Sequence, residues 1–179
     1  MYHQVVIIGA GPVGGRLATE LASRGISTLM IEEHAEIGRP FQCAGLVNPP
    51  AMNMVNLHET ILQDIDGAII HSPSGIAVPV GQDGKTRTHV VCRKRFDQGV
   101  VAQAMSAGAH LWLLSKPIDA TVTQNGVNLK IQREGEIVDI TCDLLVGADG
   151  AHSWTRRHFR LGRPKEMMIG FQADVSGLT

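Results

Sequence analysis

Three glycines near the amino terminus have the spacing of a phosphate-binding turn. Gly9, Gly11 and Gly14 form the pattern G-x-G-x-x-G. The first glycine permits a tight turn, the second lets the backbone approach a pyrophosphate, and the third lets a helix lie close to a strand. The free N–H groups and partial positive charge at the helix start would then bind the phosphates. The pattern predicts a dinucleotide site; the alternative is a glycine turn in a domain that binds no nucleotide.

A carboxylate follows this turn at the distance expected of a ribose ligand. Glu32 lies 21 residues after Gly11, at the end of the next apolar segment. A carboxylate there accepts hydrogen bonds from ribose hydroxyls and disfavours a 2′-phosphate. The strand-end position favours Glu32 over its neighbour Glu33.

The elements around the turn predict a parallel βαβ unit. Residues 5–8 (VVII) indicate a central strand buried on both faces, residues 12–24 indicate an amphipathic helix, and residues 26–31 indicate a second strand. A connection of this kind is right-handed. Further along, the hydrophobic pattern predicts a hairpin over residues 67–80, turns at residues 38–40 and 48–50, a helix over residues 95–107 and strands over residues 111–114, 121–123, 127–131, 137–142 and 144–146.

A second chemical motif follows the last of these strands. Residues 143–156 read DLLVGADGAHSWTR, so Asp149 and Gly150 stand at the carboxyl end of an apolar strand. Open α/β sheets bind ligands at that edge. The sequence therefore predicts that Asp149 lies near the glycine turn.

Composition excludes several other classes of protein. The chain has 179 residues, 44% hydrophobic and 18% charged, with a formal net charge of −1. A nucleic-acid partner would call for a basic excess, and no apolar run is long enough to span a membrane. The three cysteines are too few and too widely spaced for a disulfide framework or a zinc site, and the histidines show no metal-ligand spacing. No secretory signal is visible. We predict a cytoplasmic globular protein without a metal.

Residues 5–32 and 143–156 together resemble the two fingerprints of the FAD proteins related to para-hydroxybenzoate hydroxylase. Within that superfamily, two stretches resemble the geranylgeranyl reductases: residues 36–46 (EIGRPFQCAGL), similar to E-I-G-x-P-x-x-C, and residues 93–97 (RKRFD), similar to R-x-x-F-D. Residues 67–75 resemble the family's hairpin. Two positions differ: a more apolar residue is usual at Thr155, and many members have a glutamate inside C-x-E-G where this chain reads C-A-G-L.

The resemblance implies roles for individual residues. Gly9, Gly11 and Gly14 would bind the FAD phosphates and Glu32 the adenosine ribose, with Asp149 and Gly150 near the pyrophosphate or ribityl region. Cys43 and Ala44 would lie beside the flavin, with Cys43 the one candidate catalytic residue. Spacing alone favours the alternative that Cys43 is a small buried hydrophobe. Arg93 would contact the flavin's linking chain, whereas a basic trio is otherwise usually a solvated surface. Ile118 would touch adenine through its backbone.

The implied fold is α/β: a Rossmann-like parallel sheet with a β-meander, plus part of a second, antiparallel α+β domain. We assign residues 1–66 and 90–165 to an FAD-binding domain, and residues 67–89 and 166–179 to incomplete pieces of a substrate domain whose first strand would be residues 168–177. The chain is predicted to be an N-terminal fragment, inactive alone.

The resemblance also implies an activity for the parent protein. It would be an FAD-dependent oxidoreductase that reduces carbon–carbon double bonds of a geranylgeranyl or polyprenyl lipid. NAD(P)H or reduced ferredoxin would supply electrons, and the lipid suggests peripheral membrane contact. The alternatives are an FAD-dependent monooxygenase and a non-catalytic FAD-binding remnant.

Overall fold

The computed structural model describes residues 1–40, 43–81, 83–171, 173, 176 and 177. They form two compact units, Met1–Arg39 with Asp97–Met168 and Pro40–Phe96 with Ile169–Thr179. The strands are β1 (Tyr2–Ile8), β2 (Thr28–Ile31), β3 (Leu46–Val47), β4 (Ile61–Ile65), β5 (Gly67–His71), β6 (Ala77–Gly81), β7 (Thr88–Val91), β8 (His110–Trp112), β9 (Ser115–Thr123), β10 (Gly126–Arg133) and β11 (Glu136–Gly147). The helices are α1 (Pro12–Ala22), α2 (Pro49–Val55), α3 (Arg93–Ser106) and α4 (Trp154–His158), with a 3-10 turn at His58–Thr60.

The first unit is built on a six-stranded mixed sheet in the order β8-β2-β1-β11-β10-β9. Strands β8, β2, β1 and β11 are parallel, whereas β11, β10 and β9 form an antiparallel meander. The predicted fold class, a Rossmann-like parallel sheet with a β-meander, is therefore confirmed.

The apolar run of β1 is buried on both faces. Val5 and Ile7 pack into a cluster that includes Ala18 of α1 and Val101 of α3. Val6 packs on the opposite face, against meander side chains such as Leu129 and Ile131. Because successive side chains of a strand point to opposite faces, a strand between two apolar layers needs an uninterrupted apolar sequence.

Strand β11 corrects one prediction. Residues 137–142 and 144–146 were expected as two strands, but they belong to one strand of 12 residues. Its first half pairs with β10 and its second half pairs with β1. The polar residue that interrupts the apolar pattern, Asp143, is exposed and accepts a hydrogen bond of 2.6 Å from the Tyr2 hydroxyl.

The second unit contains the antiparallel sheet β3-β7-β4 and the two-stranded β5-β6 hairpin. The hairpin was predicted and is confirmed. The turn expected at residues 48–50 is wrong: the Asn48 side chain accepts a hydrogen bond of 2.9 Å from the Ala51 N–H and so caps helix α2. The two prolines stand in its first turn, where a missing N–H costs nothing.

The predicted substrate-domain strand does not form in the described residues of this segment. Residues 168–171 are outside any strand, and Gln172, Asp174 and Val175 of the same segment lie outside the described residues. The proposed domain boundaries stay a prediction. Among the described residues, no helix has both the length and the apolar character needed to cross a membrane.

A buried histidine lies near the amino end of β1. Only 5% of His3 is exposed, its Nδ1 lies 3.1 Å from the Ser27 hydroxyl, and its ring meets that of His110 edge-on at 5.5 Å. Its Nε2 has no hydrogen-bond partner within the described part of the chain. Burial lowers the pKa of His3, and the neighbouring His110 and the amino terminus lower it further.

We predict that this histidine makes the fold sensitive to acid. The unfolded chain takes up a proton near pH 6.5, whereas folded His3 resists it, so the free energy of unfolding decreases as the pH falls below that value. Urea denaturation between pH 5 and 8 measures this slope. His3→Asn should flatten it, whereas His71→Asn, at an exposed position of β5, should not. Equal slopes for His3→Asn and the wild type would contradict the prediction.

Candidate dinucleotide-binding site

The glycine turn lies directly against the end of β11. Gly9 has a φ of +98°, which favours glycine. A Cβ atom built there would lie 2.5 Å from the carbonyl oxygen of Ala148 and 3.0 Å from the Cα of Asp149. The Ala148 N–H also donates a 2.8 Å hydrogen bond to the carbonyl of Ile8. The structure thus brings together the two predicted motifs, which are about 140 residues apart in the sequence.

Helix α1 starts from this turn and packs closely on it. A Cβ atom at Gly14 would overlap the carbonyl oxygen of Gly9 and lie 3.3 Å from Ile7. Gly14 therefore has the predicted role in helix–strand packing.

The space beside Gly11 is open, in contrast to the crowded surroundings of Gly9 and Gly14. A Cβ atom there would meet no neighbouring atom of the described residues within 4 Å. Gly11 is the N-cap of α1, and its carbonyl accepts the first intrahelical bond, 2.8 Å from the Gly15 nitrogen. The N–H groups of Val13 and Gly14 precede that bond and have no intrahelical acceptor. Open space beside unpaired N–H groups and the positive end of a helix is suited to a phosphate group.

Glu32 holds its carboxylate over the same turn. Oε2 accepts a 3.0 Å hydrogen bond from the Ala10 N–H. Oε1 accepts a 3.1 Å hydrogen bond from the backbone N–H of His34 and lies 2.6 Å from the ring atom Nδ1 of the same residue. Its side chain is 14% exposed, whereas Glu33 is exposed. Of the two glutamates, Glu32 is therefore the one beside the phosphate turn.

Asp149 has its backbone at Gly9 and its carboxylate at the start of α4. Oδ2 accepts hydrogen bonds from the N–H and the hydroxyl of Thr155, at 2.9 and 3.0 Å. Burial acts to raise the pKa of Asp149, but the hydrogen bonds from Ser153 and Thr155 outweigh it, and the pKa falls below its usual value. The carboxylate is therefore ionised and held at the edge of the sheet. Gly150 follows with a φ of +69°.

Ile118 is the extra residue of a β-bulge. Lys130 of β10 faces Asp119 and Ile131 faces Pro117, so Ile118 has no opposite residue in the β9–β10 ladder. The extra residue of a bulge leaves the ladder pairing. This arrangement is compatible with the predicted backbone contact to adenine, which stays a prediction.

The remaining candidates, Cys43, Ala44 and Arg93, belong to the second unit. Cys43 and Ala44 are exposed, and Phe41 and Gln42 before them lie outside the described residues. The chain then packs on the end of β7: a Cβ atom at Gly45 would lie 2.5 Å from the Val91 carbonyl oxygen and 3.6 Å from the Cγ of Arg93. Exposure of Cys43 argues against the alternative that it is a buried hydrophobe.

Sequence reasoning missed three contributors to this framework. A Cβ atom at Gly15 would lie 2.9 Å from Val100, so the second glycine of the Gly-Gly pair brings α1 close to α3. Ser153 caps α4 by accepting a 2.9 Å hydrogen bond from the Arg156 N–H. His158 places Nε2 2.7 Å from the Ala120 carbonyl and stacks on Trp154. A serine three residues before Arg156 was the available signal for the cap.

The profile of a protein family described as FAD binding domain matches residues 2–176. The chain belongs to this FAD-binding family. FAD, the predicted cofactor, is thereby confirmed, and the site's residues fit it: an open phosphate turn at a helix start, with Glu32 beside it.

Curated relatives and solved structures agree with this FAD-binding assignment. A digeranylgeranylglycerophospholipid reductase from Methanothrix thermoacetophila is 32% identical over 158 residues, which are 86% of this chain and 40% of the relative. A geranylgeranyl bacteriochlorophyll reductase-like protein from Thermoplasma acidophilum superposes with a TM-score of 0.77 at 30% identity, covering 84% of this chain and 40% of that one. An anhydrotetracycline hydroxylase from Streptomyces rimosus superposes with a TM-score of 0.74 at 26% identity, covering 89% and 34%.

These similarities confirm the predicted resemblance to the geranylgeranyl reductases. The chain spans about two fifths of the length of the curated relative described above.

Two glycine substitutions should separate folding from FAD binding. Gly14→Ala places a Cβ atom in the Gly9 carbonyl, and we expect a loss of stability of about 1–3 kcal/mol together with loss of FAD binding. The added Cβ atom of Gly11→Ala lies more than 4 Å from its neighbours in the part of the chain that the structure describes, so the thermal midpoint should stay near that of the wild type while FAD affinity falls. Thermal denaturation and flavin fluorescence titration measure the two effects. Equal FAD affinity in Gly11→Ala and the wild type would show that no phosphate approaches this residue.

Proposed function

We propose that this chain provides FAD binding to an oxidoreductase that saturates carbon–carbon double bonds of a geranylgeranyl or polyprenyl lipid. The observation that carries the proposal is the match to a named reductase over 86% of the chain. The close packing of Gly9 against Ala148 and Asp149 supports it. The solved structure of the reductase-like protein has the same fold at 30% identity.

The first unit would bind the nucleotide end of FAD. The helix start beside Gly11 would hold the pyrophosphate, and Glu32 would accept hydrogen bonds from the adenosine ribose. The bulged backbone at Ile118 would contact adenine. Asp149 and Gly150 would lie at the pyrophosphate or ribityl region.

The second unit would contribute to the flavin end. We propose that Cys43 and Ala44 border the flavin and that Arg93 contacts the linking chain. Cys43 is exposed and so could meet a bound group; its assignment as a catalytic residue stays a prediction. The chemistry that bound, reduced FAD would supply is a hydride for one carbon of the double bond, and a proton would complete the saturation. No proton donor is assigned among the described residues.

An FAD-dependent monooxygenase is the second candidate, because a hydroxylase of known structure shares this fold at 26% identity. The reductase relatives have the higher identity, and for that reason we favour reduction. NAD(P)H or reduced ferredoxin is proposed as the electron source. A cytoplasmic location is also proposed, and the polyprenyl lipid substrate is the reason to propose peripheral membrane contact.

The proposal predicts a flavoprotein that reduces lipid without oxygen. Protein purified from its natural source should carry FAD. After anaerobic reduction with dithionite, its flavin should be reoxidised by a geranylgeranyl lipid, with two hydrogens gained at each saturated bond. Oxygen uptake coupled to NAD(P)H oxidation, with an oxygenated product, would instead establish the monooxygenase. Bound FAD with neither reaction would indicate a non-catalytic remnant, and a protein without FAD would contradict all three functions.

The role of Glu32 can be tested separately. Glu32→Gln keeps the size of the side chain but removes the charge, and we expect FAD affinity to fall about tenfold because hydrogen bonds to a charged acceptor are the stronger ones. Glu33→Gln, at the exposed neighbouring position, is the matched control and should retain the wild-type affinity. Isothermal titration with FAD measures both. A larger loss in Glu33→Gln than in Glu32→Gln would move the ribose contact to Glu33.

A further inference from the structure

Thr155 is the buried residue that connects the start of α4 to the end of β11. It is 6% exposed. A Cβ atom built at Gly147 would lie 2.7 Å from the Thr155 Cβ and 2.9 Å from its Cγ2 and Oγ1. The side chain is therefore wedged against the β11 backbone, and a residue of another shape could not take its place without a shift.

Its hydroxyl makes a contact that packing alone does not require. Oγ1 lies 3.0 Å from Asp149 Oδ2, and the Thr155 N–H lies 2.9 Å from the same oxygen. A valine has the same branched shape and would keep the packing and the N–H bond, but it has no hydroxyl to donate. Removing the hydroxyl therefore changes the contact with Asp149 and leaves the packing and the N–H bond in place.

Asp149 itself is positioned at the cofactor turn. Its Cα would lie 3.0 Å from a Cβ atom at Gly9, so any rotation of its side chain takes place at the edge where the dinucleotide is expected. An ionised carboxylate has about four acceptor positions. Thr155 fills two of them on Oδ2, so the orientation of the group is fixed before a ligand arrives.

We propose that Thr155 is a positioning residue for FAD: its hydroxyl holds the Asp149 carboxylate in the orientation in which it meets the bound cofactor. The inference rests on the proposed FAD-binding role of Asp149. Fixing a side chain in advance lowers the conformational entropy lost on binding, and this improves affinity.

The protonation behaviour of Asp149 supports the geometry. Burial raises the pKa of Asp149, and the hydrogen bonds from Ser153, Thr155 and its own backbone lower it; among the described residues, no charged side chain contributes. Removing the Thr155 hydroxyl takes away one of the lowering interactions. The carboxylate should then titrate at a higher pH.

The test compares two substitutions of Thr155, each of which removes a different group of its side chain. Thr155→Val removes the hydroxyl and keeps the branched shape, whereas Thr155→Ser keeps the hydroxyl and removes the methyl group. We expect FAD to bind Thr155→Val about tenfold more weakly in fluorescence titrations of the 179-residue chain, the loss typical of one hydrogen bond to a charged group. Thr155→Ser should recover most of that affinity. Thr121→Val, the same substitution at an exposed position of β9, controls for the change itself.

A second measurement separates positioning from general stability. The Asp149 carboxyl is titrated by ¹³C NMR in the cofactor-free protein, and Thr155→Val should raise its pKa while Thr155→Ser leaves it near that of the wild type. Thr155→Ser losing as much FAD affinity as Thr155→Val would overturn the proposal, because packing would then be the cause. Wild-type affinity in Thr155→Val would overturn it as well. A wild-type chain that binds no FAD would contradict the proposed function, and the NMR titration would still decide whether Thr155 holds Asp149.

Discussion

The site depends on a close approach between two stretches of backbone. Gly9 lies so near Ala148 and Asp149 that no side chain fits between them, and the helix that follows lies so near Gly9 that Gly14 can have none either. These contacts set the direction of α1, and the direction of α1 sets where its unpaired N–H groups point. The phosphate turn is therefore a consequence of how tightly β1, α1 and β11 pack.

The Glu32 carboxylate lies at this turn, and the Asp149 backbone packs against it. Both carboxylates are held by hydrogen bonds within the protein. Glu32 is fixed by the Ala10 N–H and by His34, and Asp149 is fixed by Thr155. Groups that are oriented before a ligand arrives need little rearrangement on binding. The framework thus resembles a preformed site rather than one assembled by its cofactor.

The glycine turn, β1, α1 and the fold class followed directly from the sequence, because strand burial and helix–strand packing leave strong local patterns there. The extent of β11 did not, because its change of partner midway along the strand has no local signal and Asp143 interrupts the apolar pattern. Helix α2 was missed for a similar reason: two prolines indicate a turn unless Asn48 is recognised as a cap. The orientation of the Asp149 carboxylate toward α4 depends on a contact across six residues, which no periodicity reports.

Strand β11 has a further consequence for the order in which the molecule can be made. Tyr2 pairs with Thr141 and Ile8 with Gly147. The central strand β1 therefore cannot pair with β11 until that strand has been synthesised, almost 140 residues later. Pairings between distant parts of a chain are slow to form because a long loop must be closed first. During translation, the apolar β1 segment stays without its second neighbour until the residues up to Gly147 have left the ribosome. Until then the nascent chain exposes an aggregation-prone segment, and the contact between the glycine turn and the end of β11 cannot form.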